Sequence, residues 1–159
     1  MRYWLMKTEP NTYSIADLKR DKKTGWDGIR NYQARNFMRD QMQVGDLVLF
    51  YHSNAEPPGV AGLAKVSKTG LTDPSQFDSQ SKYFDPTSNP QNPRWIMVQL
   101  AYVETFKQFV ALPELRQQPE LAGLMLLQKG SRLSVQPVET PHFDFICQLG
   151  QSQHRRPHD

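Results

Sequence analysis

The sequence predicts an α+β domain, a small mixed β-barrel surrounded by short helices. Three observations carry the prediction. Apolar runs of strand length recur along the chain, at "RYWLM" (2–6), "LVLFY" (47–51) and "IMVQLAYV" (96–103). Helix-start signals stand between and after them, at Ser14, Asn31 and Thr140. Strands and helices are interspersed, which suits a small barrel decorated by helices. At 159 residues the chain fits one domain and can bury a core.

In chain order, residues 2–6 read as a short strand leading into the turn-prone "KTEPN". Ser14, with Asp17 three residues on, makes a start resembling a capping box. "DKKTGWDG" reads as a polar loop. Asn31 can cap a helix running to about Asp40, with Ala34, Phe37 and Met38 at core-face spacing and Arg35 and Arg39 on another face. Gly45-Asp46 turn into a strand over 47–51, and "VAGLAKVSK" alternates as the second strand of a hairpin. Residues 69–93 read as a long loop, of a length that is usually functional or disordered. The rings of "KYFDP" inside it argue against disorder. "RWIMVQLAYVETF" alternates as a long strand, and "ALPELRQQPELAGLMLLQKG" reads as a helix in two pieces broken at Pro119. "RLSVQPV" returns to strand. Thr140 as cap, Pro141 at the first helical position and Gly150 as terminator mark a closing helix. The expected domain spans 1–150. Residues 151–159, "QSQHRRPHD", contain no apolar side chain and read as a flexible tail.

The bulk properties exclude several classes. A mean hydropathy of −0.67 and the lack of a long apolar run exclude a transmembrane helix, so no membrane partner is expected. The start lacks an apolar stretch and a small-residue cleavage site, so no secretion signal is expected. Cys147 is the one cysteine, which excludes an internal disulfide and a thiolate metal cluster. A cytoplasmic monomer is the simple expectation. The net charge of +3, from 19 basic and 16 acidic residues, permits a polyanionic partner without demanding one. The arrangement of charge must therefore decide.

One stretch does so. "WDGIRNYQARNFMRD" (26–40) mixes Trp26, Tyr32 and Phe37 with Arg30, Arg35 and Arg39. A buried helix does not accommodate three arginines, and a solvated one has no use for the rings. A nucleic acid suits both, its bases stacking on rings and its phosphates pairing with guanidinium groups.

Together "YWLMKTEP", "WDGIRNYQARNFMRD", "GDLVLFYHS", "KYFDP", "RWIMVQL" and "LMLLQKGSRLSVQPV" resemble the EVE domain, found in the thymocyte nuclear protein family and its bacterial relatives. The resemblance runs from Arg2 to about Val138, and "GIRNYQARNFMR" and "GSRLSVQPV" are its specific parts. It implies a PUA-like fold, similar to the YTH readers of methylated RNA bases. It also implies recognition of modified nucleobases in DNA or RNA by a pocket rather than by catalysis, and no cofactor is expected.

A reader must hold an extruded base between aromatic faces, hydrogen-bond its edge and neutralise the flanking phosphates. Trp4, Trp26 and Tyr32 are the first aromatic candidates, followed by Tyr83 and Phe84 in the long loop. For any single tryptophan core burial is the commoner fate, but Trp26 lies in a loop beside Gly25 and Gly28. Asn31 can read a base edge or cap a helix. Lys7 and Glu9 belong to a K-x-E-P element that the resemblance places by the pocket; the bland alternative is an exposed ion pair. Ser131 and Ser134, flanking Arg132 just past Gly130, can hold an anion or a base edge. Arg30, Arg35 and Arg132 are the phosphate candidates, against the alternative of a solvated face. The histidines are too few and too scattered for a metal site, and no phosphate-loop motif is present.

Two other classes remain open. An acid–base set of Lys7, Glu9, His52 and Asp85 would make the protein a small hydrolase or nuclease-like enzyme, although no nucleophile constellation supports it. An aromatic loop at 77–85 would serve a protein-interaction domain. A pocket with aromatic walls favours the reader, a carboxylate–His–Lys cleft the enzyme, and a flat apolar patch the protein partner.

Overall fold

The structure is a computed structural model and describes residues 1–154. Among these residues six strands form one sheet: β1 (Tyr3–Thr8), β2 (Lys23–Gly25), β3 (Leu47–His52), β4 (Gly59–Thr72), β5 (Ile96–Ala111) and β6 (Val135–Val138). Their spatial order is β2-β5-β4-β3-β1-β6. β1 and β3 run parallel, and the other pairings are antiparallel. Four α-helices flank the sheet: α1 (Ile15–Asp21), α2 (Tyr32–Asn36), α3 (Leu112–Arg116) and α4 (Thr140–Leu149). The mixed α+β class with short helices is the one the sequence predicts.

The apolar runs form strands because both faces of the sheet are covered. In β1, Tyr3 and Leu5 enter one apolar cluster while Trp4 and Met6 enter the other. β3 divides the same way, Leu47, Leu49 and Tyr51 against Val48 and Phe50. Alternate side chains of a strand point to opposite faces, so a strand buried on both reads as an unbroken apolar run. Ile15 and Leu18 of α1, with Ala34 of α2, close one face. Leu115 of α3, with Phe143 and Ile146 of α4, closes the other. Phe143 stacks on Tyr3 with ring centres 4.1 Å apart, a pair that contributes about 0.5–1.5 kcal/mol beyond its buried area.

The β4–β5 ladder shifts register in four places. Such irregularities bend and twist a strand pair. At Gly62 an added Cβ would collide with the Glu104 carbonyl oxygen, so the close approach of the two backbones requires glycine there.

Several expected boundaries move. The capping box at α1 is present in full, Ser14 Oγ accepting from Asp17 N and the Asp17 carboxylate from Ser14 N. β4 continues to Thr72 because it pairs with the start of β5, Thr72 opposite Ile96. Lys23–Gly25, in the expected polar loop, forms an edge strand on β5. α2 ends at Asn36 and passes into a π-helical turn over Phe37–Gln41. The helix expected after Ala111 survives only as α3 and two single 3₁₀ turns, Pro119–Leu121 and Met125–Leu127. Pro119 removes a helical hydrogen bond and Gly123 lowers helix propensity. α4 takes Glu139, rather than Thr140, as its capping residue. Of the expected tail, Ser152 is buried and its hydroxyl donates to the Glu104 carboxylate, to which Gln153 N also donates, at 2.7 Å. Residues 155–159 lie outside the described residues. No helix among those described is long and apolar enough to cross a membrane.

Candidate functional site

The parallel pairing of β1 and β3 delivers both carboxyl ends to the same side of the sheet. Lys7, Thr8 and Glu9 leave β1 there, and Ser53 and Asn54 leave β3. Thr12 and Tyr13 before α1, the 24–29 segment, Lys82-Tyr83 and the 131–134 loop fold over this end. Together they enclose a cleft of about 940 Å³.

Trp26 forms its floor. The residue is only 7 % exposed, its N–H donates to Val98 O at 2.8 Å, and its ring meets Phe50 edge-on at 5.6 Å. Backbone and ring are both held, so the indole offers a fixed surface to the cleft.

Tyr83 forms a wall, its ring lying against Gly28. A Cβ at position 28 would stand 2.7 Å from Cε2 and 2.9 Å from Cζ of that ring, and φ is +80°, a conformation that favours glycine. Arg30 holds the wall from behind. Its guanidinium donates to Tyr83 O from Nε and Nη2 (3.0 and 2.7 Å), to Ile29 O and Asp73 Oδ2 from Nη1 (both 3.0 Å), and to Ser75 Oγ from Nη2 (3.0 Å). Arginine has five N–H donors in all. Every one of them is used within the protein, which corrects the expectation that Arg30 holds a phosphate: it positions Tyr83. Asp73 also accepts from Gly28 N and Ser75 N, each at 2.8 Å. Burial pushes the Asp73 carboxyl up, but the bonds from Ser75, Gly28 and Arg30 outweigh it and leave the pKa below the ordinary value.

The cleft brings together Lys7, Glu9, Trp26, Tyr83, Ser131, Ser134 and Arg132 of the expected site. The other candidates stand elsewhere. Trp4 is fully buried and its Nε1–H donates to buried Asp46 at 3.0 Å. It is a core residue with no face for a base, because an acceptor 42 positions away lets the indole sink. Asn31 caps α2, its Oδ1 accepting from Ala34 N at 2.9 Å, and does not line the cleft. Tyr32 stacks on Trp95 (5.1 Å, 21°) with the Arg35 guanidinium 4.7 Å from its ring centre. Arg35 donates to Arg94 O and to Asn36 Oδ1. This stack lies outside the cleft lining, as does the exposed Phe84.

Lys7 is the half-buried cation of the cleft, beside Lys82 and Arg132 in its lining. Burial holds its pKa below the ordinary lysine value, and its Nζ lies 6.0 Å from the Tyr51 ring centre. Among the described residues it makes no ion pair. Glu9 accepts from Asn54 Nδ2 at 2.6 Å. Burial, and then the charge of Asp73, raise the Asp27 carboxyl above its ordinary value. Ser131 Oγ accepts from Gln136 Nε2 at 3.2 Å, which leaves its own proton to donate. A flat apolar floor, an aromatic wall and a polar rim of this kind suit a planar heterocycle with donors and acceptors on its edge.

The acid–base set is not assembled. His52 Nε2 accepts from Ile15 N at 3.1 Å, and burial lowers its pKa. Asp85 accepts from Thr87 and, at 2.8 Å, from Trp95 Nε1, which with Arg94 hold its pKa down at about 2. Neither lines the cleft. No group of three or more His, Cys, Asp or Glu side chains among the described residues is arranged to hold a metal ion.

Sequence reading missed Asp27, Lys82, Tyr13, Thr24 and Asn54 as lining residues. Asp27 and Lys82 adjoin nominated rings, a signal that could have found them. Tyr13 and Asn54 arrive through α1 and the β3–β4 loop, and nothing local marks them.

The sequence matches the family model described as the EVE domain over residues 2–149. It is 41 % identical to thymocyte nuclear protein 1 of Homo sapiens over an alignment 169 positions long, gaps included, covering 95 % of this chain and 75 % of that protein. A hypothetical protein from Leishmania major superposes with a TM-score of 0.89 at 44 % identity, covering 98 % of each chain. Human THYN1 in complex with 5-methylcytosine-containing DNA superposes with a TM-score of 0.88 at 38 % identity, covering 97 % of this chain and all of that one.

Proposed function

The chain belongs to the EVE domain family, and on that premise we propose that it binds DNA carrying a modified cytosine, taking the modified base into the cleft. The observation that carries the reading is the cleft itself, floored by Trp26, walled by Tyr83 and rimmed by Lys7, Ser131 and Ser134. The complex of human THYN1 with 5-methylcytosine DNA supports the choice of polymer and modification.

The base enters extruded from its stack, since a base edge inside a duplex cannot reach such a floor. Its ring lies on the Trp26 and Tyr83 surfaces, where stacking contributes about 1–3 kcal/mol per base. Lys7 donates to the ring nitrogen or the exocyclic oxygen, the carboxyl of Asp27 takes an exocyclic amine, and the two serines complete the edge. A methyl group in dry contact adds about 0.8 kcal/mol, close to fourfold in affinity. Stronger selection must come from the polar fit. Arg132 and Lys82 at the mouth hold the flanking phosphates, in place of Arg30 and Arg35. One chain supplies the whole cleft, which supports action as a monomer.

Tryptophan-fluorescence titration with 12-nucleotide single and double strands, with and without one 5-methylcytosine, tests the reading. The expected result is saturable quenching that is tighter for the methylated strand. Tyr83→Ala is expected to weaken binding about 5- to 150-fold, the loss of one stacking face. A flat response at low salt, or equal affinity for both strands, would overturn it.

A further inference from the structure

We infer that a second groove, continuous with the cleft, carries the phosphodiester backbone of the DNA strand that delivers the base. The inference rests on the proposed reading and adds the path of the strand to it.

The groove has a volume of about 450 Å³ and is lined by Arg116 and residues 126–132. It shares Ser131 and Arg132 with the cleft, so the two border each other at these residues. Their charges differ. The cleft sets Lys7, Lys82 and Arg132 against Glu9 and Asp27. The groove lining holds Arg116, Lys129 and Arg132 and no carboxylate. In a chain with 19 basic and 16 acidic residues, an evenly mixed surface would place a carboxylate among three such cations. All three side chains belong to exposed residues and make no ion pair among the described residues.

The groove has a defined shape. Gln128 Nε2 donates to Ala122 O and Leu124 O at 3.0 and 3.1 Å, and Ser131 N donates to Gln128 O at 3.1 Å, so the loop bearing Lys129 and Arg132 is braced. Gly130 turns the chain at φ +78°, with nothing within 4 Å of where a Cβ would stand, which leaves the surface above it open. Leu126 and Leu127 floor the groove. Cations along a rim above an apolar floor suit phosphates and deoxyribose together. Arg116, the last residue of α3, acts electrostatically on the Tyr51 hydroxyl, and the Tyr51 ring lies under Lys7.

Size sets the direction. The cleft is at the upper end of the roughly 300–1,000 Å³ that encloses a drug-sized ligand, more than one base needs. A base with its sugar fits, and its strand must leave across an edge. The Arg132 edge opens onto Arg116 and Lys129, which make no ion pair among the described residues.

The test is the salt dependence of binding by 12-nucleotide duplexes with and without 5-methylcytosine, for the full chain and two triple variants. Arg116→Ala/Lys129→Ala/Arg132→Ala empties the groove of charge. Lys65→Ala/Lys68→Ala/Lys107→Ala removes the same charge from exposed positions outside it. Each neutralised phosphate contributes about 0.7–0.9 to the slope of log K against log salt. The groove variant is expected to lose about 2–2.7 from that slope, and to weaken methylated and unmethylated duplexes by the same factor. The outer variant is expected to keep the parental slope. An unchanged slope in the groove variant overturns the groove together with the phosphate role of Arg132, equal losses in both variants overturn the groove alone, and either result leaves the base-holding cleft standing. A parent that binds neither duplex overturns the reader, and the groove with it.

Discussion

Gly28→Ala tests the cleft wall directly. Two costs are expected, and a second glycine separates them. An L-residue held in the left-handed region costs about 1–2 kcal/mol. Gly70 isolates that cost, with φ +69° and nothing within 4 Å of an added Cβ. Replacing glycine also stiffens the unfolded chain, which returns about 0.4–1 kcal/mol. Gly70→Ala should therefore destabilise by about 1 kcal/mol. At Gly28 the new methyl also meets three Tyr83 ring atoms, at 2.7, 2.9 and 3.1 Å. A ring cannot give as a flexible chain end does, and overpacking of this kind costs about 1–3 kcal/mol. The ring must leave its place beside Arg30, whose guanidinium carbon lies 5.6 Å from its centre. Gly28→Ala should therefore destabilise by about 2–4 kcal/mol and weaken DNA binding, while Gly70→Ala leaves binding unchanged. Urea unfolding and the fluorescence titration read both effects. Equal destabilisation by the two variants, with binding unaltered in both, would refute the assignment of Tyr83 as a wall held in place by Gly28.

Three further outcomes are expected. Asp46→Ala removes the acceptor for Trp4 Nε1, Gln43 N and Arg2 N; urea unfolding should show a loss of about 2–4 kcal/mol, with the preference for the methylated strand retained. Arg30→Lys substitutes three rotatable donors for five in a plane; the near-ultraviolet dichroism of the aromatic residues should change and binding weaken, whereas a phosphate-clamping role would leave the spectrum alone. Asp85 has a folded pKa of about 2 against about 3.9 unfolded, so its contribution to stability is complete above about pH 4 and is lost as the pH falls towards 2. Asp85→Asn should flatten that limb of the urea-derived stability profile between pH 5 and 2.

What the sequence discloses here is local, and what it conceals is long-range. The runs at 2–6 and 47–51 announce strands because burial on both faces leaves no polar position to break the pattern. Ser14 and Asp17 announce a helix start because both bonds of the capping box close within four residues. Trp26 could be nominated because glycines beside a ring mark a loop. Trp4 could not be excluded, since the carboxylate that lets it bury is 42 residues away. Arg30 resembled a phosphate ligand for the same reason: its acceptors at Asp73, Ser75 and Tyr83 are 43 to 53 positions distant. The polarity of residues 151–154 suggested solvent, and Glu104 was too remote in the chain to suggest otherwise.

Asp73 joins three points of two loops: the amide of Gly28, the guanidinium of Arg30, and the amide and hydroxyl of Ser75. A single carboxylate thus acts as a latch between segments 45 residues apart. The amides of Gly28 and Ser75 should therefore exchange their hydrogens with solvent together, as one opening unit. If a base rests on Tyr83 as proposed, loosening that latch should shorten its stay, through a residue that never meets it.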